Sequence, residues 1–462
     1  MEQPWAVILA AGEGTRMHSA LPKVLHPLCG KPLLWHVLQA AKGVTKKQVL
    51  VVGRGAEQIR NYFGAGYLYV EQEERLGTGH ALQQVLPHLP TTGEVLVLCG
   101  DTPLLGSNVL EKLISCHRRQ GAAATVLTAS LTDPRGYGRI VRDEGGQVQK
   151  IVEDRHLTPE LEELQEINSG CYCFTLQALQ EYLPALPQNE LKGEYYLTDL
   201  LPLLIAAGNY VGACLIDDAR LAQGINDRVQ LATAASYLRQ KINARLMRSG
   251  VTMIDPASVY IDAGVEVGRD TVLYPQCILE GETVVGENCR LGPGLHLINT
   301  NLKDGVHCQQ ALVIDSILEE GADVGPFVHI RPQSKIGAAT RIGNFVEIKN
   351  SSIGRGSKVP HLSYVGDTQM GPDVNMGAGT IVVNYDGRRK HVTRIEEGAF
   401  VGCNSNLVAP IKIGRGAFVA AGSTITGDVP SDALVISRSK QEIKEGLGKR
   451  FLKRKKGKGQ EK

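Results

Sequence analysis

Residues 9–23 read LAAGEGTRMHSALPK, a stretch in which few side chains could do chemistry and their spacing is specific. Small residues at 10–14 let backbone N–H groups come close to a nucleotide base and its phosphates, an approach that larger side chains would block. Arg16 and Lys23 add two cations at different distances from that loop. A P-loop would carry its lysine directly after the last glycine, with Ser or Thr next. The dinucleotide fingerprint would place a glycine where Met17 stands. The spacing suits instead an extended triphosphate that gives up its outer two phosphates; the alternative is a structural loop carrying two surface cations.

Further along, Asp101 in LCGDTPLL ends a very apolar strand. A carboxylate there is costly unless it binds something, and a magnesium ion shared with phosphate oxygens is the natural partner. Capping of the next helix is the other reading. Gln72, Gly77 and Thr78 in EQEERLGTGHALQ surround a strand-to-helix passage where amide and hydroxyl groups could read a base edge. A second polar group lies in the C-terminal half: Arg331, Lys349, His361, Tyr364, Asn375, Asn384, Tyr385 and Lys390. His361, in VPHLSYVG, is either a structural hydrogen-bonder or a base, since its pKa of about 6.5 suits proton transfer at neutral pH.

Two different periodicities must position these groups. Residues 1–226 alternate short apolar runs (AVILA, VLVVG, VLVLCGD, ATVLTASL) with segments whose apolar residues recur at three and four. That is the pattern of buried parallel strands with crossover helices, an α/β Rossmann-like domain whose ligands bind beyond the carboxyl ends of the strands. From about residue 259 aliphatic side chains recur every six residues. The beat runs from Ile261 to Leu297, is interrupted, resumes at Val324 and continues to Val382. After an insertion around NYDGRRK it runs from Ile395 to Ile425. Six is one side of a triangular parallel β-helix, whose coils are stable only when stacked. Residues 227–250 join the halves and read as a linker helix capped by Asp227 and stopped at Gly250. The β-helix is expected over 251–437 and a basic tail over 438–462.

The chain has 462 residues, 43% apolar and 21% charged, the composition of an ordinary globular protein with two to three domains. A net charge of +2 argues against a global nucleic-acid role. The last 25 residues carry eleven Lys or Arg against three Glu, so the rest is mildly acidic. That tail is either solvated or contacts an anionic ligand or surface. Ten scattered cysteines with no C-x-x-C pair read as reduced thiols of a cytoplasmic protein, with CYC at 171–173 alternating across a strand. No apolar run approaches the roughly 18 residues of a membrane helix.

The motifs LAAGEGTRM…LPK, EQ…LGTGHA, GDTPL, GYGRI, IVE and EINSG, followed by the hexad half, resemble the bifunctional N-acetylglucosamine-1-phosphate uridyltransferase/glucosamine-1-phosphate acetyltransferases over residues 1 to about 445. The resemblance implies a left-handed β-helix and two reactions. One transfers acetyl from acetyl-CoA to glucosamine 1-phosphate. The other transfers uridylyl from UTP to N-acetylglucosamine 1-phosphate, releasing pyrophosphate. It further implies that Leu9, Ala10, Ala11, Gly12, Gln72, Gly77 and Thr78 hold the uridine nucleotide, with Arg16 and Lys23 at phosphate. Asp101 and Asn226 would ligate Mg2+, and Gly138, Glu153 and Asn168 would contact the sugar.

In the second half, the resemblance makes His361 the general base and assigns Arg331, Lys349, Tyr364, Asn375 and Lys390 to glucosamine 1-phosphate. Asn384, Tyr385, Cys403, Ala421 and Arg438 would line the acetyl-CoA site. Such sites lie between β-helices of a homotrimer, so the expected partners are small molecules and two further copies of the chain. Cys403 departs from the serine common in that family. Two rival readings are a single-activity nucleotidyltransferase with a structural or regulatory β-helix, and a non-enzymatic scaffold; His361 and Arg438 argue against the former, Lys23 and Asp101 against the latter.

Overall fold

A computed structural model describes residues 2–189 and 193–453; residues 454–462 of the basic tail lie outside the described residues. The chain divides into two compact units, one ending at Ile242 and the other beginning at Asn243.

The first unit is built on nine strands: β1 (Trp5–Leu9), β2 (Gln48–Val52), β3 (Leu68–Glu71), β4 (Glu94–Cys99), β5 (Ala124–Ser130), β6 (Arg139–Arg142), β7 (Val148–Val152), β8 (Glu166–Thr175) and β9 (Val211–Ile216). Seven of them form the main path of the sheet, in the order β9-β5-β8-β4-β1-β2-β3, and the β6–β7 hairpin joins it through β8. Strands β1, β2, β3 and β4 pair in parallel, as do β5 and β9. Both faces are covered, so apolar runs such as Val95–Leu98 are continuous rather than alternating. Ala6, Ile8 and Leu50 face one core, Val7, Val49 and Val51 the other. Cys171 and Cys173 point into the first core and Tyr172 into the second, the expected alternation.

Strand β8 departs from the all-parallel expectation: it runs antiparallel to both β4 and β5, with an irregularity between Asn168 and Tyr172. A strand buried on both faces has the same apolar pattern in either direction, so its polarity was not legible. Helices α1 (Leu33–Lys42), α2 (Ala56–Phe63), α3 (Gly77–Gln83) and α4 (Ser107–Gln120) belong to this unit. Helix α5 (Arg228–Arg248) follows, and Asp227 Oδ1 accepts the Gln230 backbone N–H at 2.8 Å, the capping bond the sequence indicated.

The second unit is a triangular parallel β-helix, its three faces formed by parallel sheets of 11, 10 and 9 short strands. Every aliphatic residue on the six-residue beat is buried except half-buried Val267. The interruption after Leu297 is not a break in the coil. Leu302, Cys308, Val313 and Leu318 carry the core through it: Cys308 and Val313 are in register with beat positions above and below, and Leu302 and Leu318 pair with each other between Val285 and Ile336. Some sides there shrink to five residues and a cysteine occupies a core position, which hid the repeat from a search for aliphatic residues at six.

Candidate active sites

Three strands of the first unit end side by side, and the ladder continues one residue past each. Ala10 N donates to Val51 O (2.8 Å), Gly100 N to Leu9 O (2.9 Å) and Gln72 N to Val52 O (2.8 Å). A cavity of about 610 Å³ opens at these ends. Leu9, Ala10, Ala11, Gly12, Lys23, Gln72, Gly77, Thr78 and Asp101 all line it, gathered from four separate stretches of sequence. A Cβ on Gly12 would meet nothing within 4 Å. Packing therefore leaves free space beside that backbone, which a ligand can use.

The delayed lysine has a geometric explanation. Lys23 opens a short 3-10 turn behind Pro22 and folds back over the loop, so closely that a Cβ on Gly14 would lie 2.4 Å from Lys23 Cβ. Its ammonium reaches across the cavity to ion-pair with Asp101 and donates to Asn226 Oδ1 at 2.7 Å. Asn226 is brought there by the backbone bond from Ile225 N to Asp101 O (2.9 Å) and is steadied by Gln230 Oε1, which accepts from Asn226 N at 2.7 Å. Asp101 does not cap a helix: α4 begins only at Ser107, with Gly106 at its cap position.

Two hard side-chain oxygens thus converge on a positive charge. That donor set fits Mg2+, which takes one or two protein oxygens and fills its octahedron with water and phosphate. Among the described residues no cluster of three His, Cys, Asp or Glu exists that would favour an all-protein metal cage. Nearby, burial first and the Asp101 charge second raise the Tyr137 phenol above its usual range. Burial likewise keeps the Cys99 thiol, on the cavity wall, protonated.

Gly138, Glu153 and Asn168 form a second group. Arg139 pairs with Val152 across β6–β7 and with Ile167 across β6–β8, so the residues flanking those positions come together. Asn168 N donates to Gly138 O at 2.9 Å, and Glu153 Oε1 accepts from the Thr198 hydroxyl at 3.2 Å. Arg139 itself was not singled out from the sequence. It is fully buried, donates to Tyr137 O and lies 3.4 Å from Asp154 Oδ1. Arg75, another cavity-lining residue that sequence reasoning passed over, ion-pairs with Glu13. Arg16 is exposed on the turn Thr15–Met17, whose Met17 is buried, and does not line the cavity.

In the β-helix, register does what distance in sequence conceals. His361 is exposed at a corner, paired with Asn344 in the coil before. The register Lys358↔Asn375 carries the same column to Ala378. Asn404 N donates to Ala378 O (2.8 Å) and Gly422 N to Cys403 O (2.8 Å), so Cys403 and Ala421 follow in the next two coils. Arg438 Nη1 donates to Ala421 O at 2.8 Å. His361, Cys403, Ala421 and Arg438 therefore share one edge of the prism, and Ala378 joins them as a residue the sequence reading did not name. Coils stack about 4.8 Å apart, so Cys403 stands about 10 Å along the axis from His361.

On the adjoining face Arg331, Lys349 and Gly366 stack in register at one edge. Tyr364 sits two residues before Gly366, and Asn384 Nδ2 approaches its hydroxyl at 3.5 Å. Arg331 is paired with Glu347 at 2.9 Å. A hydrogen bond with Lys390 first, then burial and the like charge of that ammonium, depress the Lys349 pKa. The NYDGRRK segment is an ordered loop. Tyr385 bridges to Lys390, His391 N donates to Asn384 O (2.8 Å), and Asp386 accepts from the backbone N–H groups of Arg388 and Arg389. The His391 side chain holds the Asp386 carboxyl at about 2. Asn375 lies on another face, paired with Lys358 and Phe400.

A sheet-end cavity with paired cation and oxygen ligands, fused to a hexad-built β-helix with an exposed histidine corner, defines a nucleotidyltransferase joined to a hexapeptide-type transferase. Residues 6–179 match the MobA-like NTP transferase domain, and residues 393–427 match the six-repeat bacterial transferase hexapeptide family. Bifunctional protein GlmU of Geobacillus thermodenitrificans is 49% identical over 458 residues, covering 99% of this chain and all of the relative. The proteins of the same name from Heliobacterium modesticaldum (49%, covering 97% of this chain and 98% of theirs) and Listeria welshimeri (44%, 98% and 99%) are similar throughout as well. The chain belongs to the GlmU family of bifunctional proteins, with the left-handed β-helix of the hexapeptide class as its second half.

Proposed function

We propose that the chain catalyses two successive steps of UDP-N-acetylglucosamine synthesis. Acetyl transfer from acetyl-CoA to glucosamine 1-phosphate comes first. Uridylyl transfer from UTP to the resulting N-acetylglucosamine 1-phosphate follows, with release of pyrophosphate. The observation that carries this reading is the presence of two separate polar groups in one chain: Lys23–Asp101–Asn226 at the strand ends, and the exposed His361 edge of the prism.

In the first unit, backbone N–H groups at 10–12, with Gln72, Gly77 and Thr78, hold the nucleotide. Gly138, Glu153 and Asn168 hold the sugar so that its phosphate oxygen attacks the α-phosphorus in line. Lys23 neutralises charge on the departing pyrophosphate, so catalysis is positioning plus electrostatics. Asp101 and Asn226 would hold Mg2+, which when bound supplies further charge neutralisation on the triphosphate. Arg16, exposed on the same loop, adds a second cation for the phosphates.

In the β-helix, Arg331, Lys349 and Lys390 hold the sugar phosphate with Tyr364 and Asn375. His361 takes the amine proton as nitrogen attacks the thioester carbon, and the thiol of coenzyme A leaves. Asn384, Tyr385, Cys403, Ala421 and Arg438 line the cofactor path. The enzyme works as a homotrimer in the cytoplasm. Supporting the trimer, Phe327 and Phe345 stack at 5.2 Å on the exposed surface of the same corner, with Leu362 beyond them, an apolar stripe that a neighbouring copy would cover. No helix among the described residues is long and apolar enough to cross a membrane.

One experiment tests the reading. Glucosamine 1-phosphate, acetyl-CoA, UTP and Mg2+ supplied together must yield UDP-N-acetylglucosamine. Asp101→Ala must stop pyrophosphate release while acetyl transfer continues. Normal pyrophosphate release by that variant would refute the assignment.

A further inference from the structure

The acetyl-transfer residue Asn384 donates to a carboxylate that its chemistry does not yet explain. Asp367 follows Gly366 at the corner of the prism, with a left-handed backbone (φ 49°) and only 8% of its surface exposed. A buried carboxylate is expensive unless every lone pair is used. Here two asparagines from the flanking coils supply the bonds: Asn350 Nδ2 donates to Oδ1 and Asn384 Nδ2 to Oδ2, both at 2.5 Å. The backbone is held equally firmly, Asp367 N donating to Lys349 O (3.0 Å) and Thr393 N to Asp367 O (3.1 Å).

An ionised carboxylate only accepts hydrogen bonds, so it dictates which end of each amide faces it. Asn384, itself 6% exposed, must turn its NH2 toward Asp367, and the same NH2 approaches the Tyr364 hydroxyl. The Asn384 Oδ1 acceptor is thereby forced to the opposite side of the amide. Space for this arrangement is kept by Gly366: a Cβ there would lie 2.5 Å from Tyr364 Oη and 2.6 Å from Asn384 Nδ2. The cations Arg331 and Lys349 stack at the same edge, which suits the phosphate end of the substrate. In the acetyl-transfer reading the amine attacks where the sugar meets the cofactor path that Asn384 lines, and that amine is a donor that needs an acceptor.

We propose that Asp367 is a positioning residue of the acetyl-transfer site, locking the Asn384 amide so that its Oδ1 accepts a hydrogen bond from the amine of the incoming amino sugar. The inference rests on the acetyl-transfer reading above and adds the origin of selectivity for an amine over a hydroxyl at that carbon. An amide left free to flip would present NH2 to the amine in part of the population and repel it.

The test uses the full-length protein and two ligands that differ in one group, glucosamine 1-phosphate and glucose 1-phosphate. Asp367→Asn is isosteric but can donate as well as accept, so it removes the orientation and keeps the volume. The expected result is a fall of about tenfold or more in kcat/KM for glucosamine 1-phosphate. The inhibition constant of glucose 1-phosphate, which has no amine, should stay within about twofold. Equal weakening toward both sugars would mean that Asp367 only supports the coil, and unchanged selectivity would mean that it orients nothing; either overturns the proposal. Should D367N fail to fold by circular dichroism, Asn384→Ala removes the acceptor itself and must abolish the preference for the amine. Failure of the parent protein to acetylate glucosamine 1-phosphate at all would instead remove the acetyl-transfer reading on which the proposal rests.

Discussion

Gly77 offers the sharpest test of how the nucleotide cavity is built. It opens α3 with φ of +96°, a backbone that L side chains rarely adopt. A Cβ there would sit 2.5 Å from Tyr195 O and 3.0 Å from Tyr195 N, and backbone cannot rotate away as a side-chain tip can. That strand of chain is itself tied down. Tyr195 N donates to Leu76 O (2.6 Å), Gly79 N to Tyr195 O (2.8 Å) and Leu197 N to Thr78 Oγ1 (3.1 Å). In Gly77→Ala the left-handed backbone costs about 1–2 kcal/mol. Overpacking against Tyr195 adds about 1–3 kcal/mol. A total of about 2–5 kcal/mol is below the roughly 5–15 kcal/mol of a typical domain, so the variant folds but with its 194–197 wall displaced.

Glu194 and Tyr196 line the cavity, so that displacement is felt directly by UTP. The melting transition of the first unit should fall by roughly 4–20 °C. Uridylyl transfer, followed by pyrophosphate release, should lose at least about tenfold in kcat/KM for UTP. Acetyl transfer in the same sample serves as the control, because the β-helix does not contain Gly77. A variant with an unchanged melting point and kcat/KM within about twofold of the parent would refute the steric reasoning.

Other consequences can be checked in parallel. Burial is the leading cause that depresses the pKa of His26, His36 and His117 below the ordinary 6.5. Their neutral forms are therefore favoured by folding, a stabilisation complete above 6.5 and lost as pH falls from there toward the depressed folded values. Calorimetry from pH 7.5 to 5.5 should show the first unit melting progressively lower; a flat melting point across that window would contradict it. Among the described cysteines Cys403 is the exposed one, so iodoacetamide should modify it first. The added bulk, between Ala378 and Ala421 on the His361 edge, should slow acetyl transfer at least about tenfold. Cys403→Ser should resist the reagent and keep its activity within about tenfold of the parent, since the hydroxyl is a better donor than the thiol. Loss of acetyl transfer in that serine variant would make Cys403 a nucleophile and overturn its role as a lining residue.

Much of this molecule is written locally. A six-residue aliphatic beat can be satisfied only by a three-sided coil, so the β-helix follows from spacing alone. The small residues at 10–12 and 14 are likewise a local feature, and a Cβ on Gly12 would meet empty space. Asp227 caps its helix through a bond three residues long. Such features depend on chain neighbours, which a sequence displays.

The tertiary structure decided everything that depends on who stands beside whom. Lys23 and Asn226 are 203 residues apart, yet meet at 2.7 Å because the loop after Asp101 is stitched to residues 224–226. The polarity of β8 was set by its neighbours, and the core of the shortened coils between Leu297 and Val324 by the register of the coils on either side. His361, Ala378, Cys403 and Ala421 share an edge only because coils of unequal length stack in register. Asp367 has no motif of its own; its meaning lies in two asparagines delivered from the coils on either side. Propensity and periodicity are properties of a segment, whereas a binding site is a set of contacts, and contacts exist only once the chain has folded.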